Sequence, residues 1–103
     1  MKLLILRQIF LKDMTDIDKV KSLIDSNDTS GAIALLNGMI AANPACDELY
    51  YLRGNAYRKH NDWKHTMGDY CKAAEINPDS PAVAAYTAAS RILDFYNKDL
   101  YNP

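Results

Sequence analysis

Two histidines and two cysteines are the residues of this chain best suited to hold a metal or attack a substrate, and their spacing serves neither task. His60 and His65 stand five residues apart, on either side of a predicted turn. A zinc pair on one helical face needs a spacing of about four, with further ligands to complete the set. No cysteine or carboxylate cluster supplies them, so both histidines read as surface side chains. Cys46 and Cys71 do not form a C-x-x-C pair. Cys71 falls on a helical stretch with no histidine placed to take its proton, and reads as a buried, inert thiol. Cys46 precedes a helix start, which would lend it some thiolate character. The four glycines are scattered, and no Ser/His/Asp arrangement can be traced. The residues imply no catalytic group, no metal and no cofactor.

The elements that would carry these side chains are those of a small globular domain. The 103 residues are 49% hydrophobic and 24% charged, enough for one modest core. A net charge of −1 without basic runs gives no footprint for nucleic acid. Two lone thiols suit a reducing compartment, hence the cytoplasm. The opening "MKLLILRQIFLKD" is apolar but is interrupted by Arg7 and Gln8. It lacks a small-residue cleavage site and is too short to span a membrane. Residues 1–12 are expected to be an amphipathic extension, with Met14 a second plausible start.

The chain resembles itself at a fixed offset. Asn43-Pro44 recurs as Asn77-Pro78, 34 residues on, and Asn27-Asp28 recurs as Asn61-Asp62. The same slide sets Leu23 on Tyr57, Ile24 on Arg58 and Leu36 on Tyr70. A period near 34 is the mark of stacked helix–turn–helix units.

The unit from Asp47 resembles the tetratricopeptide repeat. Tyr50 stands at its first aromatic position, Gly54 at the small position of the first helix and Tyr57 three residues later. "NDW" (Asn61 to Trp63) is the turn; Tyr70, Ala73 and Pro78 complete the second helix. Arg53 replaces the pattern's Leu, and Thr66 its Ala. Close packing explains the small positions, with Gly54 and Ala73 letting two helices approach. Asp62 would cap the second helix, and Pro78 cannot continue it. In the weaker first unit, 13–46, Val20 and Met39 replace the small pair, and "SNDTSG" makes the turn. After unit 47–80 comes one helix, 81–96, capped by Asp79 or Ser80 with Pro81 in its first turn. Residues 97–103 are expected to be a tail. The resemblance implies an all-α superhelix: two antiparallel helix pairs and a C-terminal capping helix.

In that family the first helices line a concave groove that receives a peptide or partner segment. The corresponding positions are Met14, Ile17, Lys21 and Ile24; Glu48, Tyr51, Asn55 and Arg58; and Ala82, Ala85, Ala89 and Ile92. Tyr51, Asn55 and Arg58 share one helical face. With Lys21 they suit an extended peptide bearing a carboxylate. The family's chaperone-binding clamp is matched only at Asn55. The expected role is a non-catalytic adaptor binding a protein or peptide, with neither nucleic acid nor membrane as partner. The alternative is a self-assembling structural protein, a homodimer for example. The short array also needs compensation, for which residues 3–11 could cover apolar surface.

Overall fold

A computed structural model describes the backbone of residues 16–101 and the side chains of residues 16–96. The extension 1–12, its suggested covering role, and Met14 lie outside these residues. The described chain is all-α. Helix α1 covers residues 16–25. It is followed by α2 (Thr29–Ala42), α3 (Asp47–Lys59), α4 (Trp63–Ile76) and α5 (Ala82–Tyr101).

The turns repeat with the sequence. Asn27 and Asn61, 34 residues apart, both adopt the left-handed conformation, with φ of 66° and 63°. Asparagine tolerates that region better than most residues, which is why each helix can end there. The Asn27 N–H bonds to the Ile24 carbonyl and the Asp28 N–H to that of Leu23. Asn61 and Asp62 make the same two bonds, to Arg58 and Tyr57. Each following aspartate caps the next helix, Asp28 accepting from the Gly31 N–H and Asp62 from that of His65. The other corner also recurs: the Cys46 N–H reaches the Asn43 carbonyl, and the Ser80 N–H that of Asn77. Ser80 then caps α5 through its hydroxyl, which accepts from the Ala82 N–H at 3.1 Å.

Four boundaries differ from expectation: Trp63 opens α4 rather than closing the turn, α5 starts at Ala82 just after Pro81, and two others shift further. Helix α2 resumes at Thr29, so the first turn is three residues, Ser26–Asp28, and Thr29 to Gly31 are helical. Helix α5 runs on to Tyr101 and takes in part of the expected tail. Nothing in Asn97–Tyr101 breaks a helix, since glycine and proline are absent there.

Successive helices pack antiparallel. Thr29 at the start of α2 meets His60 at the end of α3, with Oγ1 and Nδ1 3.1 Å apart. Asn77 beyond α4 donates to Asp47 at the start of α3. The most extensive packing is between α3 and α4. Tyr70, Leu36, Val20 and Thr66 are the largest fully buried side chains among the described residues. The close approach at Gly54 is present, and Tyr70 comes nearer to it than Ala73 does. The atoms nearest a Cβ placed there are Cδ1 and Cε1 of Tyr70, at 2.6 Å, then Asp69 Cβ at 3.4 Å. The glycine makes room for a flat ring; Ala73 is fully buried nearby in the same core.

Arg53, where the repeat pattern has leucine, ties three helices. Its Nε and Nη2 each donate to Asp69 of α4 at 2.8 Å, and Nη1 donates to Asn37 of α2 at 2.9 Å. The hydrogen bond to Asp69 raises the guanidinium's pKa above its already high usual value.

Gly54→Ala is expected to destabilise the fold by about 1–3 kcal/mol, because the Tyr70 ring must move. Thermal unfolding would show a fall in Tm on the order of 10 °C; an unchanged Tm would mean that the ring moves aside freely. At acid pH the Asp62 cap is the sensitive point. The His65 N–H, aided by the His65 ring, holds its carboxyl below the usual 3.8. A depressed pKa contributes stability above the unfolded value and loses it as pH falls through the folded one. Asp62→Asn should therefore flatten the loss of stability below about pH 4 in urea melts, and an unaltered acid limb would contradict this.

Candidate partner-binding groove

Helix α3 forms the floor of a groove walled by α1 and α5. Toward its C-terminal end lies an open cleft of about 1130 Å³. Ile24 and Asp25 of α1, Asn55, Arg58 and Lys59 of α3, Trp63, and Ile92, Leu93 and Tyr96 of α5 line it. Toward the N-terminal end lies a smaller one of about 380 Å³, where Lys21 and Pro81 face Glu48, Tyr51 and Leu52.

The residues expected to bind a partner are thus shared between two clefts. Asn55 and Arg58 line the large one, Lys21 and Tyr51 the small one. Lys21 does not join Arg58. Its Nζ lies 4.0 Å from Glu48 Oε1, and both side chains are about half exposed. That pair in water is worth at most about 1 kcal/mol. Of the groove positions expected on α5, Ala82 and Ala89 are fully buried, and only Ile92 reaches a cleft. Alanine at those two places lets α5 settle onto α4 and takes them out of the groove.

Beneath Asn55 and Arg58 sits Tyr70. Its hydroxyl donates to Asn55 Oδ1. Its ring lies 6.0 Å from that of Tyr51, centroid to centroid. Burial pushes the phenol's pKa up, and the nearby Arg58 guanidinium opposes the rise. Arg58 also lies over the Trp63 ring, 5.7 Å from its centroid, and the Trp63 indole N–H donates to Asn61. A cation over an indole face is held by the ring quadrupole. Lys59 donates to the Ile24 carbonyl at 2.9 Å, which fastens α3 to α1.

Trp63, Tyr96 and Leu93 were not expected in the groove. Trp63 follows a left-handed turn, so its sequence distance from Arg58 obeys no helical rule. Tyr96 falls one turn beyond Ile92, past the last groove position counted on α5. Tyr70 was recognised as core; that its hydroxyl reaches Asn55 could have been suspected only from a polar tip needing a partner.

The other reactive side chains hold local structure. His65 lies 2.7 Å from Asp62 and stacks on Tyr57 with centroids 4.8 Å apart. Cys71 is exposed, contrary to expectation, because its side of α4 faces away from α3; its thiol donates to Glu75 one turn on. Cys46 is half-buried, and both thiols are free. Among the described residues no group of His, Cys, Asp and Glu side chains could hold a metal ion, and no helix is long and apolar enough to cross a membrane.

The class is therefore an all-α stack of antiparallel helices with a two-part groove along its third helix. No protein-family model and no curated protein matches the chain. It is similar to the solution NMR structure of Bacteroides fragilis protein BF1650, with 45% sequence identity over 82% of this chain and 87% of that one, and a TM-score of 0.75. The chain belongs to the same family as that protein.

Arg53 and Lys21 separate the structural cation from the groove cation. Arg53→Ala leaves Asp69 buried without its partner and should cost about 3 kcal/mol, the low end for such a loss because Arg53 is itself partly exposed. Lys21→Ala should change stability by less than about 0.5 kcal/mol. Urea unfolding of the two variants tests this, and equal losses would refute it.

Proposed function

We propose that this chain is a non-catalytic protein-interaction module built as a tetratricopeptide-like superhelix. It receives an extended segment of a partner protein in the groove along α3. The observation that carries this reading is the alignment of Tyr51, Asn55 and Arg58 between two clefts that run end to end on one helix face. From Tyr51 to Arg58 the helix rises about 10 Å, which three or four extended residues span. One segment could therefore occupy both clefts. The free thiols support a cytoplasmic setting.

A second reading has its own support. Val83, Tyr86, Phe95 and Tyr96 of α5 are 40–63% exposed, large apolar side chains on more than one side of the helix that pairing with another copy would cover. The two readings separate in one experiment. The full chain and a Tyr51→Ala, Asn55→Ala, Arg58→Ala variant, both checked for helicity, are used to capture proteins from a lysate of the source organism. Captured proteins are purified and titrated against each bait by calorimetry, and each bait is sedimented alone. A purified partner bound by the parent and at least tenfold more weakly by the folded variant is expected. Equal binding by both would move the site off α3. Concentration-dependent mass with no foreign partner would favour self-assembly.

A further inference from the structure

The polarity of the large cleft says what kind of residue it selects. Tyr70 lies beneath α3 with its hydroxyl committed to Asn55 Oδ1. That bond uses the amide's acceptor, so Asn55 is left with its N–H donors, which have no partner among the described residues. One turn on, Arg58 has no carboxylate within ion-pair distance among the described residues. Its guanidinium is instead braced against the Trp63 ring, which fixes its place without neutralising it. Lys59 adds a second positive charge, and its bond to the neutral Ile24 carbonyl leaves that charge intact. Asp25 is the one carboxylate lining the cleft, so its charged groups sum to a positive excess. The remaining wall is mostly apolar, Ile24, Trp63, Ile92, Leu93 and Tyr96, with Asn61 the other polar residue, its side-chain oxygen taken by the Trp63 indole N–H.

We infer that the large cleft recognises an internal acidic side chain, Asp or Glu, flanked by a bulky apolar residue in an extended peptide. This rests on the groove reading above. The carboxylate accepts from Arg58 and Asn55, and the adjacent side chain lies against Ile92, Leu93 and Tyr96. A side chain rather than a chain terminus is the source, because the open cleft continues past Arg58 to Asn61 and Trp63 and lets the segment run on. Tyr70 acts as a positioning residue. It holds the Asn55 amide with its donors available, and it touches no ligand.

The test uses phage-displayed random heptapeptides, embedded between fixed Gly-Ser flanks so that no free terminus is offered. Selection is on the full chain, and enriched peptides are resynthesised with a fluorophore and titrated by anisotropy. The expected result is enrichment of Asp or Glu beside Leu, Ile, Phe, Tyr or Trp. Changing that acid to its amide should weaken binding to the parent about tenfold or more, as for a lost charge-assisted bond. The same change should have little further effect on Arg58→Gln, because the two groups act as one pair. Tyr70→Phe, which keeps the ring and the packing, should weaken the acidic peptide more than its amide counterpart. Groove-binding peptides without acidic enrichment, or an acid-to-amide loss equal on parent and Arg58→Gln, would overturn this inference and leave the groove reading standing. Selection of no peptide, or of peptides indifferent to Tyr51→Ala, Asn55→Ala and Arg58→Gln alike, would overturn both.

Discussion

The ring of Tyr70 lying on the bare backbone of Gly54 is the contact on which this small fold turns. It sits where α3 and α4 meet, the most extensive helix pairing in the described chain. A glycine in mid-helix costs about 1 kcal/mol against alanine. Here that cost is offset by seating a large aromatic side chain fully out of water. The same side chain turns its polar end toward Asn55 and the groove. Core packing and the polarity of the groove are thus joined in one residue.

Around that contact, polar ties set the alignment of the helices. Arg53 clamps Asp69 in two bonds and holds Asn37 with a third, so α2, α3 and α4 share one register. A buried pair of this kind is a weak source of net stability but a strong penalty on misalignment. Lys59 does the equivalent for α1 through the Ile24 carbonyl. The groove follows from this arrangement. With α1 and α5 each fastened to the stack, the exposed side of α3 is left as a floor between two walls.

Much of the architecture could be read from the residues. The recurrence of Asn-Asp and Asn-Pro at one interval located every turn up to α5, because those residues have a backbone reason to be there. Asp62 and Gly54 follow from the same logic of caps and close approach, which leaves Asp79 and Ser80 as alternative caps of α5. What escaped was whatever depends on how helices face one another. Arg53 looked like a mild departure from leucine, and only its alignment with Asp69 reveals a clamp. Lys21 seemed to belong with Arg58, yet it stands at the other cleft beside Glu48. Cys71 stands close in sequence to the buried Ala73, which does not fix the face it takes, and it is exposed. Ala82 and Ala89 occupied groove positions by count but are covered by packing. Trp63 enters the cleft through a left-handed turn, a geometry that a simple period does not encode, and Tyr96 lies one turn past the last position counted on α5.

The uninterrupted course of α5 bears on how such a protein could grow. At the place where α1 and α3 turn back through Asn27-Asp28 and Asn61-Asp62, α5 carries Phe95-Tyr96 and stays helical. Neither an aromatic pair nor its backbone favours the left-handed step that reverses the chain. Lengthening the array beyond α5 by gene duplication would thus need more than another copy of the unit. It would first have to restore a reversal signal at these two positions.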